Sequence, residues 1–458
     1  MPLADDLSSY AVSLRHSDLS AAAIHTVKQR LVDSIGCGLG AFDALPARNG
    51  RAFAAAHPST AATVLGTTQT TTPDVAAFVN GTMIRYFDFN DGYIGKEVGH
   101  PSDNIAACLA VAESQKASGE DLVLAIVLAY EIQCAFQDAA ALHTRGWDHV
   151  NYVLVSSVVA AGRLMGLSQR QLTEAINIAV NGHIALRQVR AGSLSQWKGC
   201  SAPNAARNAV VAAQLARHGF TGPSPIFEGE MGFMNQITGV FSLDVGEFGN
   251  RDNQSYAVSR TLTKMLPTNG EMQTAVWAAL AVRDRIPDTE EIASVQVDTT
   301  RVGYAFLGKD PDKWRPTTRE TADHSLPYTV ARALLDGEIT TASYSDEAIA
   351  DPVALDLMKR ISVREDPALT AIFPEYIPNR VTVTLTSGEV VTEEVRDAPG
   401  GARVTMTDQQ FEEKFHGLLR PLVSDSRRED ILSLIWNVEQ LADLSPLLTA
   451  MTLDTTKE

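Results

Sequence analysis

The residues best suited to chemistry are concentrated in one polar stretch, residues 85–104, with the sequence RYFDFNDGYIGKEVGHPSDN. It combines the acids Asp88 and Asp91 with Tyr93 and His100, and it separates two apolar segments. His100 precedes a predicted helix with Ser102 or Asp103 as its N-cap. The free N–H groups and dipole of a helix N-terminus favour an anionic ligand. The pattern indicates proton transfer beside a bound anion. A polar loop whose Asp and Asn side chains only cap helices would contain the same residues.

A second stretch, RGWDHVNY at residues 145–152, places Asp148 and His149 at the entrance to an apolar helix. His149 is a candidate for acid–base chemistry because imidazole titrates near neutral pH. The alternative is that Asp148 is only the N-cap of this helix and that His149 is a surface side chain with its hydrogen bonds satisfied.

A third stretch, residues 187–207, contains Arg187 and Lys198. Lys198 stands between Trp197 and Gly199, shortly before a helix that is predicted to begin at Pro203. We therefore expect Lys198 on a turn, where it would act as an acid, a base or a clamp for a carboxylate. A solvated loop lysine would fit the same pattern.

Two candidate positions remain in the second half of the chain. Lys264 precedes a turn signal, PTNG, at the point where a helical pattern ends, and a crevice between two domains is a common ligand site. The segment TADHSLPY places Asp323 and Tyr328 at the start of a predicted helix. Asp323 or Ser325 would also serve simply as the N-cap of that helix.

Composition excludes several classes of protein. The formal net charge of −17 argues against nucleic acid and anionic membranes as partners, but a pocket for a small anion can still be locally cationic. The four cysteines are widely spaced, and no histidine pairs with another His or Cys at a metal-ligand spacing, so neither an iron–sulfur cluster nor another metal is expected. No uninterrupted apolar run of about 20 residues and no secretory signal pattern is evident, which predicts a cytoplasmic protein.

The hydrophobic pattern predicts a mainly α fold with two domains. Residues 1–265 are rich in Ala and repeat at helical spacing, whereas Ile292–Thr299 and residues 379–395 alternate as strands do, the latter as a hairpin turning at Ser387-Gly388. Thr407 and Gln410 form a capping box that begins a return to helices, predicted at Asp408–Leu419 and Glu429–Leu441. We expect a large all-helical domain of residues 1–265, completed by 408–458, and a smaller α+β domain of residues 266–407.

Motifs spread in order over nearly the whole chain resemble the MmgE/PrpD family, which includes 2-methylcitrate dehydratases, cis-aconitate decarboxylases and related epimerases. The matching motifs are DFND-x-Y with GHPSDN (88–104), WDH (147–149), WKGC-x-x-x-NAARN (197–208), TGPSPIFEGEMGF (221–233), ADHSLPY (322–328), IPNRVTVTL (377–385) and MTD (406–408).

The resemblance implies a homodimer in which the smaller domain is a lid, with a cofactor-free site between the two domains. Carried over motif by motif, it implies that the catalytic residues are Asp88, His100, His149, Lys198 and Lys264. Further contacts to the substrate are expected from Asp91, Tyr93, Arg187, Asp323 and Tyr328.

The activity implied is that of a hydro-lyase that dehydrates 2-methylcitrate or a related tricarboxylate by acid–base catalysis. A histidine would remove a proton next to a carboxylate, cations would stabilise the resulting charge, and a protonated group near Asp88 would assist departure of hydroxide. Decarboxylation or epimerisation of a small polycarboxylate would use a similar pocket. A helical interaction protein without activity is the alternative from another class.

The sequence departs from the family pattern at two places beside these motifs. Gly92 stands where the family commonly has Thr, which removes a hydroxyl from the loop. After Lys264, PTNGEMQ replaces Pro-Ala-Glu-(aromatic)-His-Ala-Gln, so that a histidine is lost and Glu271 is gained. The second change is expected to alter the charge of the pocket.

Overall fold

A computed structural model describes residues 2–401 and 403–453 and has a mainly α fold. The first half of the chain forms the helices α1 (Leu3–Ser13), α2 (Ala21–Gly40), α3 (Leu45–Ala55), α4 (Pro73–Arg85), α5 (Ile105–Gln115), α6 (Gly119–Ala139), α7 (Val150–Leu164), α8 (Gln169–Gly182) and α9 (Trp197–Arg217). Two short two-stranded sheets lie among them, β1 (Pro58–Thr63) with β2 (Thr70–Thr71), and β3 (Tyr93–Ile94) with β4 (Val98–Gly99).

The largest hydrophobic core lies among these helices, and α5, α6 and α7 pass through it with side chains buried on nearly all faces. By length and composition alone, α6 could cross a membrane, but 83% of its apolar window is buried inside the molecule. A helix that is apolar all round is typical of the centre of a large helical core as well as of a membrane span.

The second half of the chain contains a second, separate hydrophobic core. It is formed by α10 (Gln273–Arg283), α11 (Arg301–Gly303), α12 (Arg319–Ala322), α13 (Leu326–Asp336), α14 (Asp346–Ile349), α15 (Pro352–Met358) and α16 (Pro367–Thr370) around the strands β5 (Ile292–Thr299), β6 (Ile361–Glu365), β7 (Asn379–Leu385) and β8 (Val390–Val395). The sheet order is β6-β5-β7-β8, with β6 parallel to β5 and the other pairs antiparallel. The inward positions of β7 alternate strictly with half-buried ones, as the sequence pattern predicts.

The last helices return to the large core as α17 (Asp408–Leu419), α18 (Asp425–Trp436) and α19 (Ser445–Ala450). Here α17 packs against α2 at Gly36, where an added Cβ would lie 3.1 Å from the ring of Phe415. This close approach explains why a residue without a side chain occupies the middle of a helix, despite the lower helix propensity of glycine.

Three local predictions were wrong, two of them because tertiary contacts outweigh a local signal. The helix predicted from Pro203 begins at Trp197, and the Pro203 ring fits against Gly81 of α4, where an added Cβ would lie 3.0 Å from it. Neither Ser102 nor Asp103 caps α5, because Ser102 accepts a hydrogen bond from Asn90 and Asp103 pairs with an arginine; a 3₁₀ turn at Pro101–Asn104 leads into α5 instead.

The third error concerns the last part of the chain. The helix predicted for residues 429–441 spans Asp425–Trp436, and Ser424 caps its N-terminus by accepting from the N–H of Arg427. Strand β6 was not predicted from the sequence, because its five residues are too few to show a clear alternation.

Candidate active site

A cleft of about 1010 Å³ lies between the large core and the small one. Its wall includes charged and imidazole side chains from both sides: Arg85, Glu97, His100, His143, His149, Arg187, Arg190, Lys264, Glu271, Lys313 and His324. Four of these, His100, His149, Arg187 and Lys264, belong to the set predicted from the sequence.

Asp88 lies beside this cleft, just beyond the end of α4, and it is the centre of a buried ionic cluster. Its carboxylate lies 2.8 Å from the guanidinium of Arg85 and 3.0 Å from the ammonium of Lys264. Its backbone has a φ of +50°, in the left-handed region that only Asn, Asp and Gly tolerate readily. Burial alone would raise the pKa of Asp88, but Lys198, Lys264 and Arg85 together hold that pKa well below its usual range. Asp88 is therefore a fixed negative charge.

Lys264 is fully buried against Asp88 and donates two hydrogen bonds to it, one to the carboxylate at 3.0 Å and one to the carbonyl oxygen at 2.7 Å. Burial lowers the pKa of Lys264 from its ordinary value, although the Asp88 charge opposes this shift. An ammonium with a lowered pKa gives up its proton more readily than an ordinary lysine. Lys264 can therefore act as a proton donor at the edge of the cleft.

A second buried ion pair joins the two cores. Lys198, in the first turn of α9, donates to Asp323 at 3.0 Å, and Asp323 also accepts from Nδ1 of His324 at 2.7 Å. Nε2 of His324 accepts from the Asn269 amide at 3.2 Å and lies 4.0 Å from Asp88. Burial and the charge of Lys198 lower the pKa of His324 to about 4. His324 is therefore neutral near pH 7, and both of its ring nitrogens are engaged.

His100 has a different arrangement, because one of its ring nitrogens is left for the cleft. Nδ1 lies 2.6 Å from the carbonyl oxygen of Asp91, which can only accept, so Nδ1 carries the proton. Nε2 then holds a lone pair, 3.9 Å from Asp88. Burial, together with the charges of Arg85 and Lys264, lowers the pKa of His100 well below its ordinary value. The ring is a neutral base whose tautomer is fixed by the backbone.

His149 lies beside His100, with the two ring centroids 5.8 Å apart. Its Nδ1 lies 2.9 Å from the carboxylate of Asp148, which also accepts from Arg190 at 3.1 Å. Nε2 of His149 is buried without a hydrogen-bond partner among the described residues. Burial lowers the pKa of His149, although Asp148 opposes the shift. The cleft thus contains two neutral imidazoles, each with Nε2 available.

Two cations of the cleft are not neutralised by a neighbouring carboxylate. Arg187 packs over the ring of Phe306, at 4.6 Å from its centroid, and Lys313 is 3% exposed. Within residues 2–401 and 403–453, neither has a carboxylate within 4 Å. Burial lowers the pKa of both side chains. A dianionic or trianionic ligand would supply the missing counter-charges.

Glu271 is the converse case, a buried carboxylate in a cationic cleft. Its side chain has no ion pair among the described residues, and burial raises its pKa. Asn269, two residues earlier, accepts from the backbone N–H of Glu271 and also contacts His324. The PTNGEMQ segment therefore changes the pocket through two of its residues, Asn269 and Glu271, which line the cleft.

Some predicted residues lie outside the lining of the cleft. Asp91 is fully buried, accepts from the Ser102 N–H at 3.0 Å and positions His100 through its own carbonyl oxygen. Tyr328 donates to the carbonyl of Ser343 at 2.7 Å inside the small core. Tyr93 lines the cleft, but its hydroxyl donates to Asp138, towards the surface. Asp323 and Lys198 contact each other behind the cleft.

Sequence reasoning missed several residues of the cleft. His324 stands within a quoted motif, ADHSLPY, and its adjacency to Asp323 was the available signal. Arg85 begins the polar stretch that was singled out, and it pairs with Asp88 and Asp103. Lys313 had no signal, because the segment PDKWR reads as an ordinary charged turn.

The cysteines carry no part of this site. Cys37, Cys108, Cys134 and Cys200 are all buried as free thiols. In the part of the chain that the structure describes, no group of three or more His, Cys, Asp or Glu side chains is placed so as to hold a metal ion.

The two halves of the cleft match two known sequence profiles. Residues 5–245 match the MmgE/PrpD N-terminal domain, and residues 266–440 match the MmgE/PrpD C-terminal domain. The chain belongs to the MmgE/PrpD family. Arg85 to His149 and Arg187 to Lys198 fall within the first match, and Glu271 to His324 within the second. Side chains contributed by both MmgE/PrpD domains therefore line one cleft.

Several curated MmgE/PrpD proteins are similar to the chain over most of its length. The 2-methylcitrate dehydratase of Cupriavidus necator is 32% identical over 84% of this chain and 83% of its own length. The 2-methylcitrate dehydratase of Escherichia coli strain K12 is 31% identical over 86% of this chain and 85% of its own length. The mitochondrial 2-methylcitrate dehydratase of Yarrowia lipolytica is 28% identical over 94% of this chain and 85% of its own length.

Proposed function

We propose that this MmgE/PrpD protein is a hydro-lyase that dehydrates 2-methylcitrate or a closely related tricarboxylate. The single observation that carries the proposal is the pairing, across one cleft, of a neutral imidazole base at His100 with a buried ammonium at Lys264. The similarity to curated 2-methylcitrate dehydratases supports the same reaction.

Proton abstraction is assigned to Nε2 of His100. The Asp91 carbonyl holds the proton on Nδ1, and burial keeps the ring neutral, so that Nε2 is ready to accept a proton at neutral pH. The proton removed is attached to the carbon next to a substrate carboxylate. The electron pair of that C–H bond forms the new carbon–carbon double bond.

Protonation of the leaving hydroxyl group of the substrate is assigned to Lys264. As the C–O bond breaks, the oxygen takes a proton from the ammonium and leaves as water, so that Lys264 becomes neutral and His100 becomes protonated. The negative charge of Asp88 holds Lys264 in its protonated form until that step, and the lowered pKa makes the transfer easier. Return of the proton from His100 to Lys264 through solvent restores the enzyme.

Binding of the substrate carboxylates is assigned to Arg187 and Lys313. Both cations line the cleft without a protein counter-ion among the described residues, and charge-assisted hydrogen bonds to carboxylates are the strong ones. Because they line the same cleft as His100 and Lys264, they would hold the polycarboxylate with its reacting carbons between base and acid.

We further propose that the protein works as a homodimer in the cytoplasm. Large apolar side chains that are mostly exposed support an interface, namely Leu186, Phe220, Met231 and Val240. The free thiols of all four cysteines are those expected in a reducing compartment. Light scattering coupled to size exclusion tests the dimer, and fractionation of the source cells tests the location.

The proposed reaction is tested with His100→Gln and proton exchange. In deuterated water the wild-type protein should exchange and eliminate at the substrate carbon, whereas His100→Gln should lose both activities by at least about a thousandfold, because one group within about 3 Å must move the proton. Substrate affinity should stay within about tenfold, since binding is shared among several cations. His218→Gln is the matched control and should remain active, because His218 is exposed at the C-terminal end of α9 and does not line the cleft.

Normal exchange by His100→Gln would move the base to His149. Loss of carbon dioxide from the substrate, or inversion at its carbon without loss of water, would instead show a decarboxylase or an epimerase and would overturn the hydro-lyase assignment.

A further inference from the structure

A second cavity adjoins the catalytic cleft. It encloses about 720 Å³ and shares part of its wall with the cleft, including Gly92, Leu262, Lys264 and Gly270. Because Lys264 belongs to this shared wall, the second cavity begins beside the proposed acid of the reaction. We call it the side chamber.

Two residues of the shared wall are glycines, so no side chain stands there. A Cβ added to Gly270 would meet only Cε of Lys264, at 3.9 Å, which is an ordinary contact distance. A Cβ added to Gly92 would lie 3.3 Å from Leu262. Any larger residue at either position would thicken the wall between the cleft and the side chamber.

The side chamber is suited to an apolar group. Ile94 and Leu262 of the shared wall, and Pro374 and Ile377 beyond it, contribute apolar surface to its lining. A substituent that enters it would leave water for hydrocarbon, which is favourable in proportion to the apolar area removed from solvent.

The arginines of the side chamber do not require a further anion. Arg260 lies 3.4 Å from Asp138, Arg396 lies 2.8 Å from Glu394, and Arg403 lies 3.0 Å from Glu375. Each charge is already balanced by a carboxylate, unlike the charges of Arg187 and Lys313 in the cleft. A fourth substrate carboxylate would therefore gain little here.

We propose that the side chamber binds an alkyl chain of the substrate, so that the protein prefers 2-alkylcitrates whose chain is longer than methyl. The inference rests on the proposed function, because the tricarboxylate head must sit between His100 and Lys264 for the chain to pass Gly270. The chain stays attached throughout, and the elimination chemistry is unchanged.

The test compares synthetic 2-methyl-, 2-propyl- and 2-pentylcitrate as substrates of the wild-type protein. We expect kcat/KM to rise by about fourfold for each methylene that the chamber buries. A kcat/KM that falls or stays level from methyl to pentyl overturns the inference, while turnover of 2-methylcitrate alone leaves the proposed function intact.

A variant can show whether the side chamber binds the alkyl chain or is only a route by which the substrate enters the cleft. Ala398 lines the side chamber and not the cleft, so Ala398→Leu reduces the chamber volume at a distance from the reacting atoms. We expect it to lower kcat/KM for 2-pentylcitrate at least tenfold more than for 2-methylcitrate. An equal loss for both substrates would show an entrance route and would overturn the inference. Ala22→Leu, on the exposed face of α2, is the matched control and should change neither value.

Calorimetry provides a readout that does not depend on turnover. Tighter binding of 2-pentylcitrate than of 2-methylcitrate, reduced by Ala398→Leu, supports the side chamber even if neither compound is dehydrated. In that case the proposed reaction fails and the binding assignment stands. Equal affinities, or affinities that Ala398→Leu does not change, overturn the assignment.

Discussion

The charged residues of this molecule fall into two regions with opposite character. Behind the cleft, Asp88 and Asp323 are each held by two or more cationic or imidazole partners at short distances. On the open side, Arg187 and Lys313 line the cavity without a carboxylate partner among the described residues. Asp88, Asp323 and Lys313 are buried and Arg187 is partly buried, so the two regions differ mainly in charge balance.

The comparison separates positioning from binding. A buried charge that already has its partners gains little from a ligand, whereas one without a partner retains its desolvation penalty until an anion arrives. The balanced region should therefore contribute mainly to stability and to the geometry of the acid and base. The unbalanced region should contribute mainly to affinity for the substrate.

The largest expected effect comes from breaking the balanced region. Lys198→Met leaves the fully buried Asp323 without its cation, and we expect the free energy of unfolding to fall by about 3–5 kcal/mol. Urea unfolding followed by circular dichroism measures this change. The double variant Lys198→Met/Asp323→Leu, which removes both charges, should recover most of the loss. A single variant as stable as the wild type would show that the ion pair has no structural role.

A smaller effect, confined to function, is expected in the unbalanced region. Lys313→Met should lower kcat/KM for a tricarboxylate by about 10- to 150-fold, the equivalent of one charged hydrogen bond of about 1.5–3 kcal/mol. The free energy of unfolding should not fall, because no ion pair is broken. Lys309→Met, an exposed lysine four residues earlier, is the control. Steady-state kinetics and urea unfolding of both variants measure these two effects. A destabilised Lys313→Met protein would contradict the assignment of the unbalanced region to substrate binding.

The smallest effect concerns pH. The unfolded chain binds a proton at His324 near pH 6.5, whereas burial and Lys198 lower the folded pKa to about 4. Between these values the unfolded state carries more protons, so the free energy of unfolding falls as the pH drops from 6.5 to 4. His324→Gln should remove about 1 kcal/mol of the loss seen between pH 7 and 5.5. An unchanged profile for His324→Gln would show that this ring does not titrate as described.

The contrast between the two regions also explains what the sequence could predict. Periodicity predicted the Ala-rich helices and the β7–β8 hairpin, because each depends on contacts that repeat within a few residues. The polar stretch of residues 85–104 indicated Asp88 and His100 for the same reason. The balance of charge was beyond such reasoning, since Asp88 meets Lys264 across 176 residues and Lys198 meets Asp323 across 125.

Lys198 shows how far a local sequence pattern can predict the position of a side chain. Its neighbours Trp197 and Gly199 suggested an exposed turn, and the proline at 203 suggested a later helix start. The structure instead begins α9 at Trp197 and buries the Lys198 side chain to 2% exposure against Asp323. A lysine expected to affect turnover alone is thereby expected to affect stability as well. Lys313 was missed because only the fold, and no local pattern, brings it to the cleft.

The return of α17 and α18 to the first core has a consequence for how the chain is made. Phe411, Phe415 and Ile431 fill the same core as helix α2, yet they leave the ribosome nearly four hundred residues later. The intervening small core is complete by strand β8 and is available to fold first, as a continuous segment. During synthesis the helices that precede it must wait with an uncovered apolar face, so this protein should depend on chaperones until α17 and α18 emerge.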